Sequence, residues 1–177
     1  MPTLVTHPAV PLALGFGLGS HVVPARLLAA AVVASVLPDA DVVAFRFGIP
    51  YASPFGHRGL SHSLAFAAAV ALLAAACHRP LRAGPRAAFA VVFLATASHA
   101  VLDALTDGGL GVALLWPFSD ARFFAPERPI EVSPLGLRAL ARRGLDVLAS
   151  ELRWVWAPSL VLALALRFAR WRDGARV

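Results

Sequence analysis

Apolar residues in this chain come in runs rather than in alternation. Residues 60–77 form an 18-residue run whose only strongly polar member is His62. Residues 87–105 form a 19-residue run with His99 and Asp103 near its end. Both approach the roughly 20 apolar residues that cross a bilayer as a helix. A third run, 154–169, is shorter and carries Pro158 and Arg167. It is bounded by Trp154, Trp156 and Trp171, and indole favours the headgroup interface. Two further stretches, 8–19 and 22–37, predict a tight helical hairpin in the membrane. The connector 78–86, with three arginines, Pro80 and Pro85, reads as a short turn. The segment 39–56 reads as a longer loop, and 107–153 as the longest. Within the latter, 134–152 mixes apolar residues with arginine, which suits an amphipathic helix on the membrane surface. The pattern predicts an all-α, polytopic membrane bundle of about four to five transmembrane helices plus that surface helix. One domain spans 1–177, with the motif-bearing core in 1–125 and the amphipathic helix and last span in 134–177.

Composition supports the bilayer as solvent. The chain is 59% apolar and 15% charged, with a mean hydropathy of +0.72. A soluble domain is about half apolar and a quarter charged. All sixteen basic residues are arginines, and the formal net charge is +6. In a membrane protein such arginines sit near anionic headgroups, so membrane lipids are the expected partners. No soluble basic face with interleaved aromatics appears, so no nucleic acid is expected. Cys77 is the single cysteine, which excludes an intrachain disulfide. The N-terminus lacks the basic region and cleavage site of a signal peptide, so the helices themselves are expected to target the chain. Eight arginines fall on each side of the predicted bundle. Their number therefore does not orient it, and the short 78–86 turn with the tail leans the site away from the cytoplasm.

Placing the polar residues on this map brings out a pattern. His7 precedes the first helix, and Asp39 and Asp41 follow the second. His57 precedes the third, His62 lies in its first turn, and His99 and Asp103 are in the last turns of the fourth. Chain direction alternates in an up-and-down bundle, so all these positions share one end. Ionisable groups inside apolar helices are costly and point to function. His99 and Asp103 are four apart, on one helix face. In "PDAD" the two carboxylates are expected on one side of an extended segment. Imidazole with carboxylate suits zinc, manganese or iron, and the number of ligands exceeds one tetrahedral site, so a two-metal cluster is open. Such clusters activate water for ester hydrolysis. Arg58 has the fork that grips phosphate. Ser61 and Ser63 are placed to cap the third helix or orient a ligand. Taken singly, each motif has a bland reading: an intrahelical pair for His99 and Asp103, a snorkelling side chain for Arg58. A non-catalytic scaffold braced by a polar plug stays open. A transport pathway ranks last, because 65–76 and 87–97 carry almost nothing polar beyond Thr96.

The segments "THPAV", "PDAD", "HRGLSHS", "SHAVLDALTDGG" and "WPFSDARFF" occur in that order. Together they resemble the YdjM-like family of membrane-bound metal-dependent hydrolases, over about residues 6–124. A looser similarity is to zinc-dependent phospholipases C and single-strand nucleases. The resemblance implies an integral protein of a prokaryotic inner membrane and metal ligation by His7, Asp39, Asp41, His57, His62, His99 and Asp103. The resulting expectation is a metal-dependent hydrolase, with zinc the first choice, acting on a phosphoester or ester of a lipid or lipid-linked substrate. Asp41 is then the general base if it is not a ligand, and Arg58 steadies the anion.

Overall fold

The computed structural model describes residues 1–133 and 137–174. The described residues form helices and loops, with two isolated backbone bridges and no strand. α1 (Ala9–Leu18) is followed by α2 (Ala25–Val36), which runs directly into a 3₁₀ segment, Leu37–Phe47. Pro38 causes the change of winding. It lacks the N–H that would continue the α-helical ladder, so the helix tightens there. This corrects the expectation of an extended "PDAD" and a loop from residue 39: the loop begins only at Gly48.

The apolar run 60–77 is also shorter as a helix than as a sequence. Leu60–His62 is a 3₁₀ turn, Ser63 is extended, and α3 covers only Leu64–Ala76. The Ser63 hydroxyl caps α3 by accepting from the Phe66 N–H at 3.0 Å. α4 (Pro85–Ala104) starts on a proline, whose missing N–H costs nothing in a first turn. Pro134, where the amphipathic helix was expected to start, lies outside the described residues. From Leu137 the helix is continuous: α5 (Leu137–Glu151), a π-helical turn (Leu152–Trp156) and α6 (Ala157–Gly174). The amphipathic stretch and the last span are therefore one helical run. The wide turn falls where the Pro158 ring would otherwise meet the carbonyl one turn earlier.

Three stretches are long and apolar enough to cross a membrane: Ala25–Phe47, Pro85–Ala104 and Arg143–Arg172, with mean hydropathies of 1.9, 1.7 and 1.3. α4 is the central helix, with α2 and α3 packed on it and α1 packed on α6. The shared core is built on Leu27, Ala31, Ala71, Ala88 and Ala95, all fully buried. Small residues let helices approach closely, which is the main source of association once lipid removes the hydrophobic drive. Outward positions such as Val33, Leu72, Leu73, Leu94 and Val161 are apolar and exposed, as lipid contact requires. Replacing Ala71 with leucine is expected to lower stability by about 1–3 kcal/mol through overpacking. Leu72→Ala, on the exposed face, should leave it nearly unchanged. Thermal unfolding in detergent checks both.

Candidate metal centre

The four element ends converge as the alternating directions require. His99 stands one turn before the end of α4, and its Nδ1 is 2.7 Å from the Ser35 carbonyl of α2. That carbonyl only accepts, so Nδ1 carries the proton and Nε2 keeps its lone pair. His62 has Nδ1 3.0 Å from Ser61 Oγ and 3.2 Å from Asp41 Oδ2. The Ser61 hydroxyl donates to Asp41 at 2.6 Å. Nδ1 of His62 is therefore also the protonated nitrogen. The two Nε2 atoms face each other, because His62 Nε2 lies 3.1 Å from His99 Nε2.

Carboxylates complete the group. Asp103 Oδ2 is 3.3 Å from His62 Nε2, and Asp39 Oδ1 is 3.3 Å from His99 Nε2. Asp39, His62, His99 and Asp103 present ligand atoms all within 4.8 Å of one another, and each residue is 0–5% exposed. Both oxygens of Asp39 lack a hydrogen-bond partner, while Asp103 is ion-paired with Arg58. Buried carboxylate oxygens without donors are costly unless a cation compensates them. The edge of a tetrahedron with zinc–ligand bonds of about 2.0–2.1 Å is about 3.3 Å, close to the separations seen. The donor set can hold a divalent metal ion.

His7, at the entry to α1, stacks on His99 with ring centroids 3.7 Å apart, and its Nε2 is 3.8 Å from Asp39 Oδ2. Neither of its nitrogens has a partner. Burial, with His99 beside it, lowers its pKa to about 3, so the ring is neutral and able to ligate.

Asp39 and Asp41 face different partners, because two residues along a 3₁₀ helix are 240° apart. Asp41 accepts from His57 Nδ1 at 2.6 Å, from Ser61 and His62, and from the Arg58 N–H at 3.2 Å. Asp41, His57 and His62 also form a cluster, but these atoms already bond one another. Arg58 is fully buried. Its Nε is 3.0 Å from Asp103 Oδ2, while Nη1 donates to the Gly108 carbonyl and Nη2 to Thr106 Oγ1. Its backbone is left-handed, with φ of 62°. A non-glycine residue pays about 1–2 kcal/mol for that, and these bonds hold it there. Gly59 is needed next to it: a Cβ there would stand 2.2 Å from the Pro54 carbonyl.

Sequence reasoning missed several supporting groups. Arg122, inside "WPFSDARFF", donates to the carbonyls of Tyr51, Ser53, His57 and Gly111 and ties the loop before His57 to the loop after α4. Glu151 is buried and accepts from Thr3 N, Thr3 Oγ1 and Thr6 Oγ1. It thereby anchors the residue before His7 to the last helix. Its neighbours Ser150, Leu152 and Arg153 give no sign of that burial. Asp107 accepts from the Val132 N–H and Glu131 pairs with Arg143, so both are occupied outside the cluster. Arg122→Ala leaves several loop carbonyls without donors and should cost about 1–3 kcal/mol. Lysine should restore only part, because one ammonium lacks the planar fork. Unfolding midpoints in detergent test this.

The chain is 49% identical over 164 residues to the inner membrane protein YbcI of Escherichia coli (strain K12), covering 92% of this chain and 95% of that protein. No solved structure matches it. The model of the YdjM inner membrane protein family matches residues 1–175. With its three candidate spans and its buried His/Asp cluster, the chain belongs to the YdjM family of inner membrane proteins.

Proposed function

We propose that this protein is a membrane-embedded, metal-dependent hydrolase that cleaves a phosphoester or ester of a lipid or lipid-linked substrate. The observation that carries the reading is the pair of facing imidazole Nε2 atoms, 3.1 Å apart, flanked by the buried carboxylates of Asp39 and Asp103. Asp39, His62, His99 and Asp103 are the proposed ligands, with His7 close enough to join them. Two imidazoles with two carboxylates suit zinc. One ion fits better than two, because Asp41, His57 and His62 are tied by their own hydrogen bonds. A divalent metal at this place supplies Lewis-acid activation of water near neutral pH.

The chain's own residues take the other roles. Asp41 has its acceptor positions filled, so it orients the rings of His57 and His62 instead of taking a proton directly. His57 is left with a free Nε2, and the His57–Asp41 pair has the arrangement of a general base with its orienting carboxylate. Arg58 fixes Asp103 and balances its charge. A second reading, a structural ion that braces a non-catalytic membrane scaffold, is favoured by the near-complete burial of all four ligands.

Metal analysis of detergent-purified protein, paired with turnover of phospholipid mixtures, separates the two. The hydrolase reading expects one bound transition metal per chain, with metal and turnover both lost in His62→Ala and His99→Ala. Bound metal with no turnover of any phosphoester or ester lipid selects the scaffold, and no bound metal at all sinks both. Asp41→Asn should weaken metal affinity about 10–100-fold while leaving the fold intact, as loss of an orienting carboxylate does.

A further inference from the structure

α2 and α3 both pack on α4 but barely touch each other. Between them runs a groove of about 460 Å³, with Val92 of α4 on its floor, Ala30 and Val33 of α2 on one wall, and Val70 and Leu73 of α3 on the other. No described residue lining it carries a charge. α2 opens the candidate span Ala25–Phe47 and α4 is itself a span, so the groove faces lipid. Its shape selects a slim occupant. From Arg26 to Leu37 the chain rises about 16 Å, close to half of the roughly 30 Å hydrocarbon layer, which is the depth of one leaflet. An α-helix is about 10 Å across and rises about 5.4 Å per turn, so the groove's volume equals about one turn of helix. A slot one leaflet deep with so small a volume suits an acyl chain and excludes a helix.

One end of the slot is charged. Arg26, Ala30, Val33 and Leu37 fall at i, i+4, i+7 and i+11, on one stripe of α2. Arg26 therefore heads the wall of the groove. Its Nη1 donates to the Pro80 carbonyl at 3.3 Å, next to Leu81, which lines the groove from the connector. Among the described residues its Nε and Nη2 have no partner, and the side chain is exposed, so donors remain for a phosphate. Arg79, Arg82 and Arg86 of the connector are exposed as well. The Arg170 guanidinium lies against Gly19, which brings the end of α6 to the same face. No acidic residue occurs in 78–86 or in the first turns of α2. Exposed arginines without carboxylates among them attract anionic headgroups. This end of α2 is the one away from Asp39 and the metal centre.

We infer that the groove between α2 and α3 holds one anionic phospholipid of the leaflet opposite the metal centre, with an acyl chain over Val92 and its phosphate at Arg26. This lipid is separate from the substrate of the proposed hydrolase, and the inference does not rest on that reading. Lipid titration of the full-length, detergent-purified protein, followed by native mass spectrometry, tests it. The probes are phosphatidylglycerol, phosphatidylcholine and glycerol 3-phosphate. Phosphatidylglycerol should bind at one per chain, phosphatidylcholine at least tenfold more weakly, and glycerol 3-phosphate not measurably. Arg26→Ala should weaken phosphatidylglycerol about fivefold, the share of one interfacial arginine, and leave phosphatidylcholine unchanged. Ala30→Trp should fill the slot and block both lipids. Leu72→Trp, on an exposed position outside the groove, should block neither. Equal binding of the two lipids, an unchanged Arg26→Ala variant, or a loss in Leu72→Trp as large as in Ala30→Trp would overturn the inference. Glycerol 3-phosphate binding as tightly as phosphatidylglycerol would overturn the role of the chain. A dimer that Ala30→Trp splits would give the groove to a second copy of the protein and overturn the lipid.

Discussion

Two imidazole Nε2 nitrogens are held face to face in a low-dielectric interior, and the surrounding architecture keeps either from turning away. The Ser35 carbonyl fixes one ring and Asp41 fixes the other. Both anchors come from one continuous stretch, the end of α2 and the 3₁₀ segment after it. Pro38 separates them, so a single change of winding aims one backbone carbonyl and two carboxylates in three directions. A pair of nitrogens at that distance needs a proton or a cation between them. The arrangement is therefore a constraint set by the fold, since each ring's rotation is decided by a partner outside the pair.

Charge accounting inside the bundle points the same way. Asp39 and Asp103 are both buried, and Arg58 offsets only one of them. Asp41 is compensated by its own four donors. That leaves Asp39 with no close hydrogen-bond donor, facing the rings of His7, His62 and His99. An isolated carboxylate in such surroundings is too costly to persist uncompensated. A divalent ion held by the cluster would offset that charge, whether its role were catalytic or structural.

Much of this was legible in the sequence. His7, Asp39, His62, His99 and Asp103 sit at the ends of apolar runs, and alternating chain direction brings those ends together without further information. The His99–Asp103 spacing read correctly because α-helical periodicity is local. The relation of Asp39 to Asp41 read wrongly, because their divergence depends on 3₁₀ winding, which a loop-like composition conceals. His57 and Arg58 were visible as chemistry but not as partners: Arg58 turns inward only because left-handed backbone and a crowded Gly59 redirect it. Arg122 and Glu151 act through backbone carbonyls and threonine hydroxyls far along the chain. No pattern in their neighbourhoods encodes those contacts.

The short helices have a mechanical consequence for the lipid around them. α1 and α3 have 10 and 13 residues, or about 15 and 20 Å of rise, against a hydrocarbon layer of about 30 Å. α4, at 20 residues, matches that layer. The bundle is thus hydrophobically mismatched at α1 and α3 and matched at its centre. A bilayer meets a short flank by thinning, since stretching a helix is not available to it. Lipids beside α1 and α3 are drawn inward, and their headgroups descend toward the end of the bundle where the histidines gather. The protein deforms its own solvent beside those two helices.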